Sequence, residues 1–323
     1  MKQQDFEKNY SQQWQDIEYF LGQKPKVQIN SSLSPEIPAL YKDVCYQLSL
    51  ARERQYSYHL IENLSQLANT LHGHIYRGRN SFKLKIFDFI FKDFPNTVRE
   101  NRWYMVAGFV LFFLTLGLTA LACYLHPDLV YSIYPAEQVR EFDSMYSPEN
   151  TILGRERDSD TDIEMFGFYI YNNIAIAFRT FATGVLAGLG SLFFLVYNGL
   201  AIGAVMGYMA YIGYYNTFFP FVVGHGSLEL TAIAISGAAG LRLGCSILIP
   251  GPYSRLLAIR LAASSCIKLM YGVFIMLLMA AFIEAFWSSS TSINNAIKYS
   301  VGVGLWILVC TSLLILIFKK REH

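Results

Sequence analysis

Six stretches of this chain are apolar over about the length that crosses a bilayer, and that recurrence limits the fold more than any other feature. They fall at residues 103–125, 172–197, 200–215, 221–244, 265–287 and 299–318. A hydrocarbon layer about 30 Å thick takes about 20 helical residues rising about 1.5 Å each. Backbone N–H and C=O groups in hydrocarbon need internal partners, and a helix supplies them within one segment. The composition agrees, with 53% hydrophobic residues and a mean hydropathy of +0.30. The expected fold is all-α: a polytopic membrane protein with about six transmembrane helices, an interfacial amphipathic helix and a small N-terminal helical region.

Residues 1–80 are soluble in character and no leader-like apolar segment is expected, since polar and charged residues interrupt 1–20. Phe6, Trp14, Ile17 and Leu21 recur on one expected helix, and Leu40, Val44, Leu48, Ala51, Leu60, Leu64, Leu67 and Leu71 recur at helical spacing further on. Pro25, Pro35 and Pro38 mark a connection, with Ser34 a helix-cap candidate. Residues 82–102 interleave Phe87, Ile90, Phe91 and Phe94 with Lys83, Lys85, Asp88, Lys92 and Asp93. That mixture is too charged to span and too aromatic to be solvated all round, so 81–102 is expected to lie along the inner leaflet. The transmembrane domain is expected over 103–323, with loop 126–165 on the far side. That loop holds ten acidic and three basic residues, and Tyr131, Ile133, Tyr134, Phe142 and Tyr146 are available to pack part of it.

Six spans put both termini on one side. Arg99, Arg102, Arg255, Arg260, Lys268 and the basic residues at 319–321 fall there, which makes that side cytoplasmic by the positive-inside bias. Within the spans, glycines recur every four residues at 199, 203 and 207, a spacing that permits close helix packing. The same small-residue surface suggests a two-fold homodimer. Asn198-Gly199 reads as the break between the second and third spans. The cysteines form no CxxC pair and read as small hydrophobes. Nothing in the charge pattern points to nucleic acid.

The polar residues inside the spans are the functional candidates: Asn172, Arg179, Asn198, His225, Glu229 and Arg242. Charge in hydrocarbon is expensive, so such groups face a partner or a cavity. His225 and Glu229 stand one helical turn apart, and glycines at 237, 240 and 244 admit a neighbouring helix. Counted from span starts at 172 and 221, Arg179 and Glu229 reach similar depths, and they are expected to pair, with His225 one turn outward. Arg242 is expected to meet headgroups or helix-end carbonyls. Glu284, beside Trp287 at a span end, reads as interfacial. One histidine and one glutamate make an incomplete metal set, so neither a metal nor another cofactor is expected, and no nucleophile with a base marks an enzyme.

The run Asn172-Asn173, Phe178, Phe181, Gly184, Gly188, Asn198-Gly199 and Gly203, followed by His225-Gly226, Glu229, Gly240-Leu241-Arg242 and Gly244, resembles the stage II sporulation protein M family. The resemblance covers about residues 100–320. Residues 1–80, with Tyr41, Asp43, Ala51 and Arg52, look like the extension of members from bacteria that do not sporulate. It implies a non-enzymatic multi-pass protein of the bacterial cytoplasmic (inner) membrane. Expected partners are membrane lipids, a second copy of the chain, and envelope-remodelling or AAA+ ATPase-associated proteins. The implied function is a scaffold in cell-envelope organisation or peptidoglycan remodelling. The alternative is a channel or transporter with a polar path near Arg179, His225 and Glu229. For the topology, a cysteine introduced at Ser159 is expected to react with an impermeant thiol reagent applied from outside the cell, and one at Ser57 is not; the opposite labelling would reverse the orientation.

Overall fold

The computed structural model describes residues 2–22, 36–76, 86–149, 162–290 and 292–318. The loop prolines 25 and 35, Ser34, Lys83, Lys85, Ser159 and residues 319–321 lie outside them. The chain divides into two compact units, residues 1–86 and 87–323, and the described residues contain helices and no strand.

The described residues of the first unit form three helices: α1 (Gln3–Gly22), α2 (Glu36–Glu53) and α3 (Tyr58–Tyr76). Phe6, Ile17, Val44, Ala51, Leu60, Leu64 and Leu71 form its core, at the helical spacing read from the sequence. Among the described residues of this unit, the one buried polar side chain is satisfied on both sides. Gln47 accepts from Trp14 Nε1 at 2.7 Å and donates to Gln13 Oε1 at 2.9 Å.

The second unit begins with a π turn (Phe89–Asp93) leading into α4 (Phe94–Glu100), and Asn101 separates α4 from α5 (Arg102–Leu125). Asn101 Nδ2 donates to Ser265 Oγ at 2.8 Å. Phe94 seats against Gly272, Phe89 meets Tyr271 edge-on, and Val98 is buried in the bundle core. Phe87, Ile90 and Phe91 stay exposed, and Lys92 pairs with Asp88 at 2.7 Å on that outer side. The amphipathic segment therefore gives one face to the membrane unit and leaves an aromatic face outside.

Beyond α5, the loop carries a short 3-10 turn (Pro127–Ser132) and α6 (Ala136–Met145). Val130 and Val139 pack with Cys123 and Ala204, with Ile133 and Tyr134 against them. Tyr146 stacks edge-on against Phe218. Tyr214 donates to Asp143 at 2.5 Å, and that bond, with burial, pushes the phenol up to about 12.

The remaining helices are α7 (Asp162–Ala182), α8 (Leu189–Tyr211), α9 (Phe218–Leu248), α10 (Arg255–Ile283, extended by a π turn over Glu284–Ser288) and α11 (Asn295–Phe318). Five of the described helices, α5 and α8 to α11, are long and apolar enough to cross a membrane. α7 is 21 residues long and runs beside them, but Asp162, Glu164, Asn172, Asn173 and Arg179 lower its apolarity. α9 is the axle: 72% of its apolar stretch is buried, against 17% for α5 and α11. It packs on α5, α7, α8, α10 and α11.

Several boundaries differ from the sequence reading: α7 begins at Asp162 and α10 at Arg255, each ten residues earlier than expected. The chain turns at 183–188, where Ala187 (φ 52°) and Gly188 (φ 84°) adopt the left-handed region, and not at Asn198-Gly199. In water Asn-Gly favours a turn; here both residues pack inside α8. Asn198 Nδ2 donates to Thr180 Oγ1 at 3.3 Å, and Gly199 lies against Phe112 and Thr115 of α5. Gly203 and Gly207 continue that contact along Leu116 and Ala120, so α5 and α8 run parallel. Gly237, Gly240 and Gly244 meet Leu195, Ser191 and Gly188, which sets α9 antiparallel to α8. These glycines serve contacts within the protomer, which leaves the expected dimer without the surface that suggested it.

Gly203→Ala would press a methyl on the Leu116 carbonyl and is expected to lower stability by about 1–3 kcal/mol. Gly117→Ala, with nothing within 4 Å of its Cβ position, is expected to be neutral. Unfolding by denaturing detergent from mixed micelles measures both, and equal effects would discount the close packing.

Candidate functional site

Three ionisable side chains converge inside the bundle: His225 and Glu229 from α9 and Glu284 from the π turn of α10. One ligand-capable atom of each lies within 4.8 Å of the others. The i, i+4 spacing puts the first two on one face of α9. The third arrives because the π turn widens the end of α10 and directs Glu284 inward. Gly224 lets the Trp287 ring approach, at 2.9 Å from where its Cβ would stand. That contact brings the end of α10 onto α9 beside His225.

His225 is buried and tightly held. Its Nδ1 sits 3.2 Å from Ser288 Oγ, and the Phe221 ring stands edge-on at 5.2 Å. In the tautomer that carries its proton on Nδ1, Nε2 keeps a free lone pair, and it lies 3.9 Å from Glu284 Oε1. Glu284 Oε2 and Asn173 Nδ2 are buried and make no well-formed hydrogen bond, and the Asn173 side chain faces the Glu284 carboxylate as a weak hydrogen-bond partner. Glu229 is half-buried.

A buried lysine that holds the Ser288 carbonyl serves the backbone. Lys298, 1% exposed, donates from Nζ to the Ser288 carbonyl at 2.8 Å and the Ser290 carbonyl at 2.6 Å. It satisfies carbonyls left open where the helix ends. Among the described residues, no lysine or arginine forms a salt bridge with Glu229 or Glu284. Two carboxylates and an imidazole are thus gathered without a fixed countercharge. Beside the site, α7 and α10 enclose an apolar groove of about 340 Å³ lined by Ile174, Phe178, Tyr271, Phe274 and Leu277 among others.

Of the six candidates read from the sequence, His225 and Glu229 meet here. The expected Arg179–Glu229 pair is not formed, and the cause is register. α7 starts at Asp162, ten residues before the assumed start, so Arg179 lies far deeper than Glu229 and is exposed on the outside of the helix. The residue level with Glu229 is Asn173: each lies about 16 Å along its own helix at about 1.5 Å per residue. Asn172 is exposed and donates to Asn173 Oδ1 at 3.0 Å. Asn198 serves the α7–α8 contact. Arg242 lies over the Tyr104 ring at 5.4 Å, a cation–π contact in place of the expected headgroups or carbonyls. Glu284 is a buried site residue, not an interfacial one. Its sequence signal was its isolation: it is the one charged residue between Lys268 and Lys298.

A strand-free bundle of long apolar helices around a buried polar cluster defines a polytopic membrane protein. Residues 105–289 match the family model described as Stage II sporulation protein M, and the chain belongs to that family, whose members are non-catalytic. Residues 4–77 match a family described as a domain of unknown function. No curated protein and no solved structure matches the chain.

Ser288→Ala removes the hydrogen bond that orients His225 and is expected to cost about 0.5–1.5 kcal/mol. Arg179→Gln is expected to change stability by less than about 0.5 kcal/mol. Thermal unfolding in detergent measures both; a large loss with Arg179→Gln would restore a buried partner for that side chain.

Proposed function

We propose that this protein is a channel or transporter for cations, with a polar path through His225, Glu229 and Glu284. One observation carries the reading: two carboxylates and an imidazole stand among apolar helices with no salt-bridged lysine or arginine. An uncompensated acidic pair in hydrocarbon is costly to keep. A proton or a cation in transit relieves that cost, whereas a purely structural contact is made more cheaply by apolar side chains. The π turn supports the reading too: it ends α10 at the cluster and puts irregular backbone beside Glu284, and irregular helix ends inside a bundle are where transporters bind their substrates. Arg179, on the outside of α7, is not part of this path.

The second reading is a scaffold in cell-envelope organisation at the inner membrane, working with envelope-remodelling or AAA+ ATPase-associated partners. The family match and the separate helical core of residues 1–86 favour it. In either reading the basic residues near the ends of the spans support cytoplasmic termini.

Proteoliposomes separate the two. Under an imposed diffusion potential, the purified chain is expected to pass protons or a divalent cation faster than protein-free vesicles. The double change Glu229→Gln and Glu284→Gln is expected to reduce that flux at least about tenfold. Flux equal to empty vesicles for every cation tried would leave the scaffold.

A further inference from the structure

We infer that His225, Glu229 and Glu284 form a binding site for one divalent first-row transition-metal ion, with Zn²⁺ the best match. The inference concerns the same cluster as the transport reading but rests on ligand geometry, and it holds whether or not an ion crosses the membrane.

The donor set comes first. One imidazole nitrogen with two carboxylates suits zinc and its neighbours; calcium and magnesium sites are built from oxygen ligands alone, and soft Cu(I) sites use sulfur. Distances follow. Around a tetrahedral ion with bonds of about 2.1 Å, ligand atoms stand about 3.4 Å apart. His225 Nε2 and Glu284 Oε1 are already 3.9 Å apart, and all three ligand atoms lie within 4.8 Å of one another. Small side-chain rotations close the remaining gap, and a fourth position stays open for water or another ligand.

The surroundings are those of a held site. A ligating histidine is commonly oriented by a hydrogen bond from its other ring nitrogen, and Ser288 Oγ provides that partner at Nδ1. Ser288 is itself anchored, because Lys298 Nζ holds its carbonyl. Two buried polar atoms at the ligands, Glu284 Oε2 and Asn173 Nδ2, face each other without a well-formed hydrogen bond. Both residues are more than nine-tenths buried, and a metal-bound Glu284 turned toward the Asn173 amide tightens that contact. Charge closes as well: a divalent ion neutralises two carboxylates beside a neutral imidazole.

The test uses the full chain in lipid nanodiscs, stripped with chelator and dialysed against Zn²⁺, with metal counted by mass spectrometry. About one Zn²⁺ per chain is expected. His225→Gln and Glu284→Gln are each expected to weaken binding by more than about a hundredfold. Ser288→Ala, which leaves every ligand in place, is expected to weaken it about 10- to 100-fold. His59→Gln with His72→Gln, in the first unit, is expected to change nothing. Substituted Co²⁺ reads the same site by its visible absorption, expected in the wild type and lost in Glu229→Gln. Where a ligand variant fails to fold, the graded effect of Ser288→Ala decides. Absence of zinc at micromolar free metal, or binding unaltered by the α9 and α10 variants, would overturn the inference. Zinc bound without flux in liposomes keeps it and removes the transport reading; flux without bound zinc does the reverse.

Discussion

Close backbone approach along α9 is the contact on which the rest of the membrane unit depends. In lipid, helices gain little from hiding apolar surface, because the solvent is as apolar as the side chains; they associate where small residues let backbones pack. α9 supplies Gly237, Gly240 and Gly244 to α8 and the turn before it, while Gly108 of α5 would place a Cβ 2.8 Å from the Ala234 carbonyl. Those contacts let one helix of 31 residues be enclosed by five neighbours. Enclosure in turn allows ionisable groups on α9, since their surroundings become protein in place of lipid.

The same packing explains why the polar cluster lies where it does. Trp287 fits over Gly224, and the π turn at the end of α10 rotates Glu284 toward His225 and Glu229. Ser288 then serves two neighbours, the imidazole through its hydroxyl and Lys298 through its carbonyl. The lysine is occupied by helix-end carbonyls, which leaves the two acids without a fixed cation. Conduction of a cation and retention of a metal ion are two answers to that one electrostatic fact, and they differ in whether the ion leaves.

Sequence periodicity carried the apolar architecture well because it reports on burial averaged over a helix. The first-unit core from Phe6 to Leu71 follows the expected spacing, as does the placement of α5, α9 and α11, while α10 begins at Arg255, ten residues before the expected 265. It failed where polar residues blurred a span. Asp162 and Glu164 made the start of α7 look like loop, so the helix was begun ten residues late and the apparent depth of Arg179 was wrong by the same amount. Asn198-Gly199 misled for a related reason: a dipeptide that makes turns in water makes packing contacts inside a bundle.

By itself, then, the sequence determined that the chain is helical, that it crosses a membrane several times, and that His225 and Glu229 share a helix face. Those properties follow from hydropathy and from the helical repeat, both local to a segment. Only the tertiary structure decided that Glu284, 55 residues beyond Glu229 in the chain, completes the cluster, and that Asn173 and not Arg179 stands beside it. That depends on the axial register between helices and on one widened turn. Register is fixed by glycine-to-backbone contacts between segments, and no single segment encodes them.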